Sequence, residues 1–338
     1  MHTRSILIGA AFLFAGFVVR AQMQSQQLDS VQQRRELEQN ANLMVVSNTL
    51  PELYAGESGD VGPQSVLQIK PHRKLFEASA DVQYFFTDNM FLASGGKREA
   101  DVLASTVSAA LAPSPFEFHD GLLAPRLGYQ HQWFAYDLAG SRSVAINNPI
   151  NGYRFVGLET FDFNASTIFS DVTWQRHNWQ FTVGGDFRRL LDTSSSAEFY
   201  REIVPRWEAR RDFLLSDRQM ISLAYEGDYR VTDTANVTAP DGSNFYDRTD
   251  HSLLIVGSWQ LCQHAMLQPS IRLQYTHYTA TSRDDLLQTL GLAIYCPLTQ
   301  QITLRAYLSY DSLNTEGNRA KNYQKLDVGG GLNLTVRF

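Results

Sequence analysis

Cysteine is nearly absent: Cys262 and Cys296 are the only two in 338 residues. No Cys-x-x-Cys or paired His spacing offers a metal site. No cysteine follows the leader, so a lipid anchor is not indicated. A disulfide would need an oxidising compartment. The two residues are expected at the ends of strands that are not neighbours, on opposite faces, and so to remain free thiols. Positive charge is not in excess either. A net charge of −6 leaves no basic footprint for nucleic acid. Beyond the leader there are no long apolar runs. Mean hydropathy is −0.26 with 43% hydrophobic residues, too polar for a bundle of membrane helices but compatible with strands that are apolar on one face only. There is no glycine-rich phosphate loop. Gly329-Gly330-Gly331 falls inside a strand pattern, where it permits curvature or close packing.

A catalytic constellation is missing as well. A lipase on a barrel wall would group Ser, His and a carboxylate or amide on the outside. His251 and Ser252 are adjacent, so on a strand they point to opposite faces. His131 lies on the expected oily face without a Ser two residues on. His177 and His264 sit in short turns, and His277 has no evident partner. Neither an enzyme nor a cofactor is expected.

What is present begins with a leader. Met1 to Ala21 reads as a signal peptide: His2 and Arg4 open it, Ile6 to Val19 is apolar, and Val19-Arg20-Ala21 precedes a cleavage site. Residues 22–74 differ in composition. Gln24 to Asn42 is rich in Gln and charge with a weak helical tendency, and the stretch after it is broken by Pro51, Gly56, Gly59, Gly62, Pro63 and Pro71. This segment is expected to be a mostly flexible periplasmic lead-in. A sharper alternative is a short helix that plugs a lumen.

From Leu75 to Phe338 the chain alternates. The last stretch sets Leu326, Val328, Gly330, Leu332, Leu334, Val336 and Phe338 against Lys325, Asp327, Gly329, Gly331, Asn333, Thr335 and Arg337. Period two means a strand with one oily and one wet face. Trp179, Phe181, Val183, Gly185 and Phe187 repeat the pattern, as do Ile221, Leu223, Tyr225, Gly227, Tyr229 and Val231. Two segments fit less well. Phe161, Phe163 and Ala165 start in the oily phase and then slip near Thr167, which predicts a bulge. Leu254 and Val256 fall on the polar side of the strand over His251 to Leu261.

About twelve such strands predict an all-β, transmembrane, antiparallel up-and-down barrel over residues 75–338. Connections are expected to alternate strictly between short turns, such as Arg176-His177-Asn178, and longer loops, such as Leu138 to Leu158. Trp174, Trp179, Trp259 and Phe338 would mark the short-turn end; Tyr84, Phe86, Phe199, Tyr229, Tyr275 and Tyr310 the other. Two aromatic rings suit two lipid interfaces. Lipid cannot satisfy a bare strand edge, so the first strand must pair with the last.

The wet face carries the candidate site. Arg126, Asp186, Arg188, Glu202, Arg206, Glu208, Arg210, Asp212, Glu226, Asp228, Arg230, Arg272 and Arg305 are expected to line the lumen. They would form either a ladder of ion pairs that fills it or a charged constriction that orients small polar solutes.

Tyr84-Phe85-Phe86-Thr87-Asp88-Asn89-Met90-Phe91-Leu92, with a short loop into Ala100-Asp101-Val102, resembles the opening of the barrel in the beta-barrel porin families of the outer membrane. The likeness covers about Leu75 to Phe338. The final Phe338 is similar to the aromatic carboxy-terminus that the assembly machinery reads in such barrels; Val336 stands where a Tyr is common. The resemblance implies a Gram-negative outer-membrane location, contact with outer-membrane lipid and lipopolysaccharide, and a transport role as a porin-like channel. The other expectations are a closed barrel acting as a structural protein or adhesin through its loops, and an outer-membrane component of polysaccharide export.

Overall fold

The computed structural model describes residues 20–38, 74–148, 152–234, 243–262, 264–317 and 322–338. The expected signal sequence up to residue 19, and 39–73 of the expected lead-in, lie outside them. A helix, α1, covers 20–38. Fifteen strands follow: β1 Phe76–Thr87, β2 Ala100–Leu111, β3 Phe116–Phe118, β4 Gly121–Tyr136, β5 Ser143–Asn148, β6 Gly152–Gly157, β7 Phe163–Arg176, β8 Trp179–Asp192, β9 Glu198–Ser216, β10 Gln219–Thr234, β11 Arg248–Cys262, β12 Ala265–Tyr278, β13 Arg283–Pro297, β14 Ile302–Gly317 and β15 Tyr323–Arg337. A single 3-10 turn, Leu158–Phe161, precedes β7.

Twelve of these strands close into an antiparallel barrel. Closure is made by β1 against β15, from Glu77↔Arg337 to Thr87↔Asp327. The amides of Leu75 and Phe76 both bond to the Phe338 carbonyl, at 3.1 and 3.0 Å. β3 is a short spur on β4, and β5 and β6 form a separate hairpin in the β4–β7 connection. Closure leaves none of the twelve wall strands as a sheet edge, which is what a hydrocarbon surrounding demands.

Sequence alternation becomes inside and outside. Val82, Leu127, Val183, Leu223, Ile271 and Leu332 are exposed on the outer surface. Asp81, Gln132, Asp186, Glu202, Arg210, Asp250 and Arg305 are buried within. An apolar exterior around a polar interior reverses the order of a protein folded in water. Both cysteines are free thiols.

The structure corrects several local expectations. The β7 register runs unbroken from Phe163 to Arg176 against β8, with no bulge near Thr167. Phe163 and Ala165 point inward and are fully buried, because an apolar surface waits for them inside. Register shifts lie elsewhere, near the β9–β10 and β11–β12 turns and on β9, where Leu190 faces Tyr200 and Leu191 faces Glu198. Phe199, skipped by that register, packs against the inner core rather than joining the outer ring. Strict alternation of short and long connections does not hold. Residues 279–282, on the loop side, span no more chain than 298–301 on the turn side, because β12 and β13 pair as far as Tyr278↔Arg283.

Candidate functional site

The lumen is occupied by α1. Its sequence, from Ala21 through Glu38, is rich in Gln, with Leu, Arg and Glu in its second half, and has no Gly or Pro, so helix is locally favoured. Nineteen residues at the helical rise give a rod of about 28 Å, close to the roughly 30 Å of a bilayer core. Arg20 reaches Asp192 at 2.9 Å, at the end of β8 beside the 193–197 loop. Glu38, at the other end, pairs with Arg305, which lies just after the turn at 298–301. The helix therefore runs from the loop mouth of the barrel to its turn mouth.

Apolar contacts seat it. Ala21, Met23, Leu28 and Val31 join one buried cluster with Val102, Ala104, Phe134, Phe163, Ala165 and Leu190 of the inner wall. Phe134 and Phe163 stack at 4.4 Å. Lower down, Leu37 packs against Ala224, Leu254 and Val256. The two residues on the wrong side of their strand are thus the landing place of a helix leucine. The Arg34 guanidinium lies 4.6 Å from the ring centres of both Phe85 and Tyr307 and 3.2 Å from Asp327. Gly329 stands opposite Phe85 and Tyr307 in the register. A Cβ there would collide with Phe85, so the glycine run serves close packing.

Ion pairs fix the rest. The Asp29 carboxylate is held by Arg188 at 2.9 Å, Arg230 at 2.8 Å and Arg248 at 3.7 Å, reaching in from β8, β10 and β11. Each arginine has a second partner on the wall: Asp186 for Arg188 at 2.8 Å, Asp228 for Arg230 at 3.0 Å, and Asp250 for Arg248 at 3.0 Å. Across the lumen Arg35 bonds Gln130 and Ser79, and Arg305 bridges Glu38 and Asp81. Above the helix, Asp162 accepts the Tyr136 amide at 2.8 Å, and burial raises its carboxyl above the ordinary value despite that bond.

A cavity of about 330 Å³ remains beside α1, bounded by Gln26, Asp29, Ser30, Gln33 and Glu36 of the helix and by the inner wall from β7 round to β15, with Arg126 of β4. That volume is at the low end for small-molecule pockets. Its wall is charged in both signs: Arg272 pairs with Glu226 at 2.9 Å, and Arg210 with Asp212 at 2.8 Å. No cation among the described residues lies within ion-pair distance of Glu208, which lines the same space.

All thirteen expected lumen residues face inward, but they do not form one cluster. Arg188, Glu202, Asp228 and Arg230 gather around Asp29. Arg206, Glu208, Arg210, Glu226 and Arg272 line the cavity, with Asp212 beside Arg210. Asp186 lies between these groups and reaches Arg188 at 2.8 Å and Arg206 at 3.4 Å. Arg126 pairs with Glu77 at 2.9 Å and borders the cavity from β4. Arg305 lies on the far side under the helix. Sequence reasoning missed the helix half of the site, Asp29, Arg34, Arg35 and Glu38, and the wall residues Arg248 and Asp250. The latter two share the inward phase of Ser252 and extend its strand by one pair. Another juxtaposition was invisible in one dimension: His131 and Ser166 face each other on the outer wall, with Nδ1 and Oγ 2.9 Å apart and the Tyr129 hydroxyl at 3.2 Å from each.

Fold and site together define a twelve-stranded barrel with a helix threaded through a charged lumen. No protein-family model matches the chain, and no curated protein does. Solved structures that resemble it include a bacterial polysaccharide outer membrane secretin, 12% identical over 78% of this chain and 99% of its own, with a TM-score of 0.44. An outer membrane channel from Pseudomonas putida F1 is 10% identical over 82% of this chain and 100% of its own, with a TM-score of 0.48. The KdgM porin in complex with disordered oligogalacturonate is 12% identical over 76% and 98%, with a TM-score of 0.36.

Proposed function

We propose that this chain is an outer-membrane channel for small polar solutes or ions, and that α1 sets how much of its lumen is open. The apolar outer wall is the surface that a bilayer solvates, and the leader at 1–21 is the export signal that would take the chain there; its removal after Ala21 would leave α1 from Gln22 onward in the lumen. Phe338 is bonded into the closing seam through Leu75 and Phe76. The observation that carries the transport reading is the cavity beside the helix. Its wall keeps charges of both signs where a purely structural barrel would be filled.

Planar-bilayer recording tests this. The full chain is expected to give small, flickering currents, and a variant lacking residues 22–38 to give steady ones several times larger. Silence from both proteins at every voltage removes the channel reading. A closed barrel that acts through its loops is the second reading, favoured by the ion pairs that anchor α1 on opposite sides of the lumen. It predicts that silence.

A further inference from the structure

The outer wall carries a charge that no carboxylate among the described residues balances. Arg211 lies on β9 in the outward phase, between Ala209 and Phe213, and is exposed. Its guanidinium carbon stands 5.1 Å from the Trp179 ring centre and 4.8 Å from that of Phe213. The β8–β9 register sets Trp179 directly across from Arg211. Trp179 stacks on Phe181 at 5.7 Å, and Phe181 on Trp174 at 5.8 Å. The arginine thus terminates a ladder of rings running across β7, β8 and β9 at the turn end of the barrel. Two other arginines on outer strands are paired: Arg189 with Glu198 and Arg201 with Asp233, both at 2.5 Å. Among the described residues, none offers Arg211 a carboxylate within ion-pair distance.

A guanidinium facing hydrocarbon is costly, and the cost falls toward the headgroups. Interfacial tryptophans mark that depth. Rings beside a planar cation restrain it through its faces and leave its edge donors to match paired phosphate oxygens. We propose that Arg211, flanked by Trp179 and Phe213, binds the phosphate of a phospholipid in the leaflet at the turn end of the barrel. This rests on the barrel standing in a bilayer, and it is indifferent to whether the lumen conducts.

Native mass spectrometry of the full chain tests it, with the protein released from micelles containing phosphatidylethanolamine and a phosphate-free diacylglycerol. The wild type is expected to retain phosphatidylethanolamine. Arg211→Gln should lower that occupancy by about fivefold or more, with Arg211→Lys in between, since it keeps the charge but not the plane. Diacylglycerol should be retained weakly, and equally by wild type and variants. Equal phospholipid occupancy in wild type and Arg211→Gln overturns the proposal. So does diacylglycerol retained as well as the phospholipid, which would mean that the aromatic belt alone holds it. Displacement of the lipid by millimolar inorganic phosphate also overturns it, by making the site one for a soluble anion. Heat-modifiable gel mobility checks folding. If Arg211→Gln fails that check, Trp179→Leu must show the same loss of phospholipid.

Discussion

The two sides of the lumen hold the same helix in different ways. Toward β1, β14 and β15, α1 is seated: Arg34 lies between two rings and against Asp327, and Arg305 bridges Glu38 and Asp81 with side chains at most 2% exposed. Toward β8, β10 and β11 the charged latch at mid-helix is a single carboxylate, Asp29, 29% exposed at the edge of the cavity, with Arg20 on Asp192 and Leu37 on Ala224, Leu254 and Val256 toward the two ends. Desolvated pairs become very costly to break once one partner is missing, whereas a wetter pair is screened and exchanges with water. The seat therefore resists displacement, and the latch is the side from which the lumen can widen.

The sharpest break of this contrast is Arg305→Ala. It leaves Glu38 buried without its cation and Asp81 with only Arg35 at 4.0 Å, and losing one partner costs about 3–5 kcal/mol in comparable buried pairs. The urea midpoint of the reconstituted barrel should fall accordingly. An unchanged midpoint would mean that the seat is not a stabilising contact. Asp29→Asn attacks the other side. It should raise the frequency of channel openings about tenfold, equivalent to roughly 1.4 kcal/mol, while leaving the unfolding midpoint near the wild-type value. If stability falls and openings do not change, the roles of the two sides are reversed.

Leu37→Ala removes packing against Leu254 and Val256. The expected loss is about 1 kcal/mol of helix docking, read as faster amide exchange over residues 30–38 with the strands unaffected. Smallest of all should be Arg206→Gln with Arg210→Gln, on the cavity wall. Reversal potentials in a salt gradient should move toward cations by a few millivolts. No movement would place the conducting path away from that wall.

The barrel was legible because its information is local. Each strand states its own two faces, and hydrogen bonding in lipid then requires closure, so β1 had to meet β15. The inward candidates came from the same alternation. What escaped was written as exceptions. Phe163, Ala165, Leu254 and Val256 broke the expected pattern because they contact a helix more than 100 residues away in sequence. Read as a strand alone, β7 suggested a slip; read beside α1, it is regular. Phe199 was misplaced for a different reason: a bulge rotates it, and only the register with β8 reveals the skipped residue.

By itself the sequence determined a closed sheet of about twelve strands, oily outside and charged inside, because period two sorts side chains by face without regard to what lies across the lumen. Only the tertiary structure decided that the inside is occupied, and by the chain's own residues 20–38. Pairing Asp29 with Arg188 and Arg230, or Arg305 with Glu38, joins positions 159, 201 and 267 residues apart. No local pattern encodes such distances; the curvature of the closed wall brings the partners together.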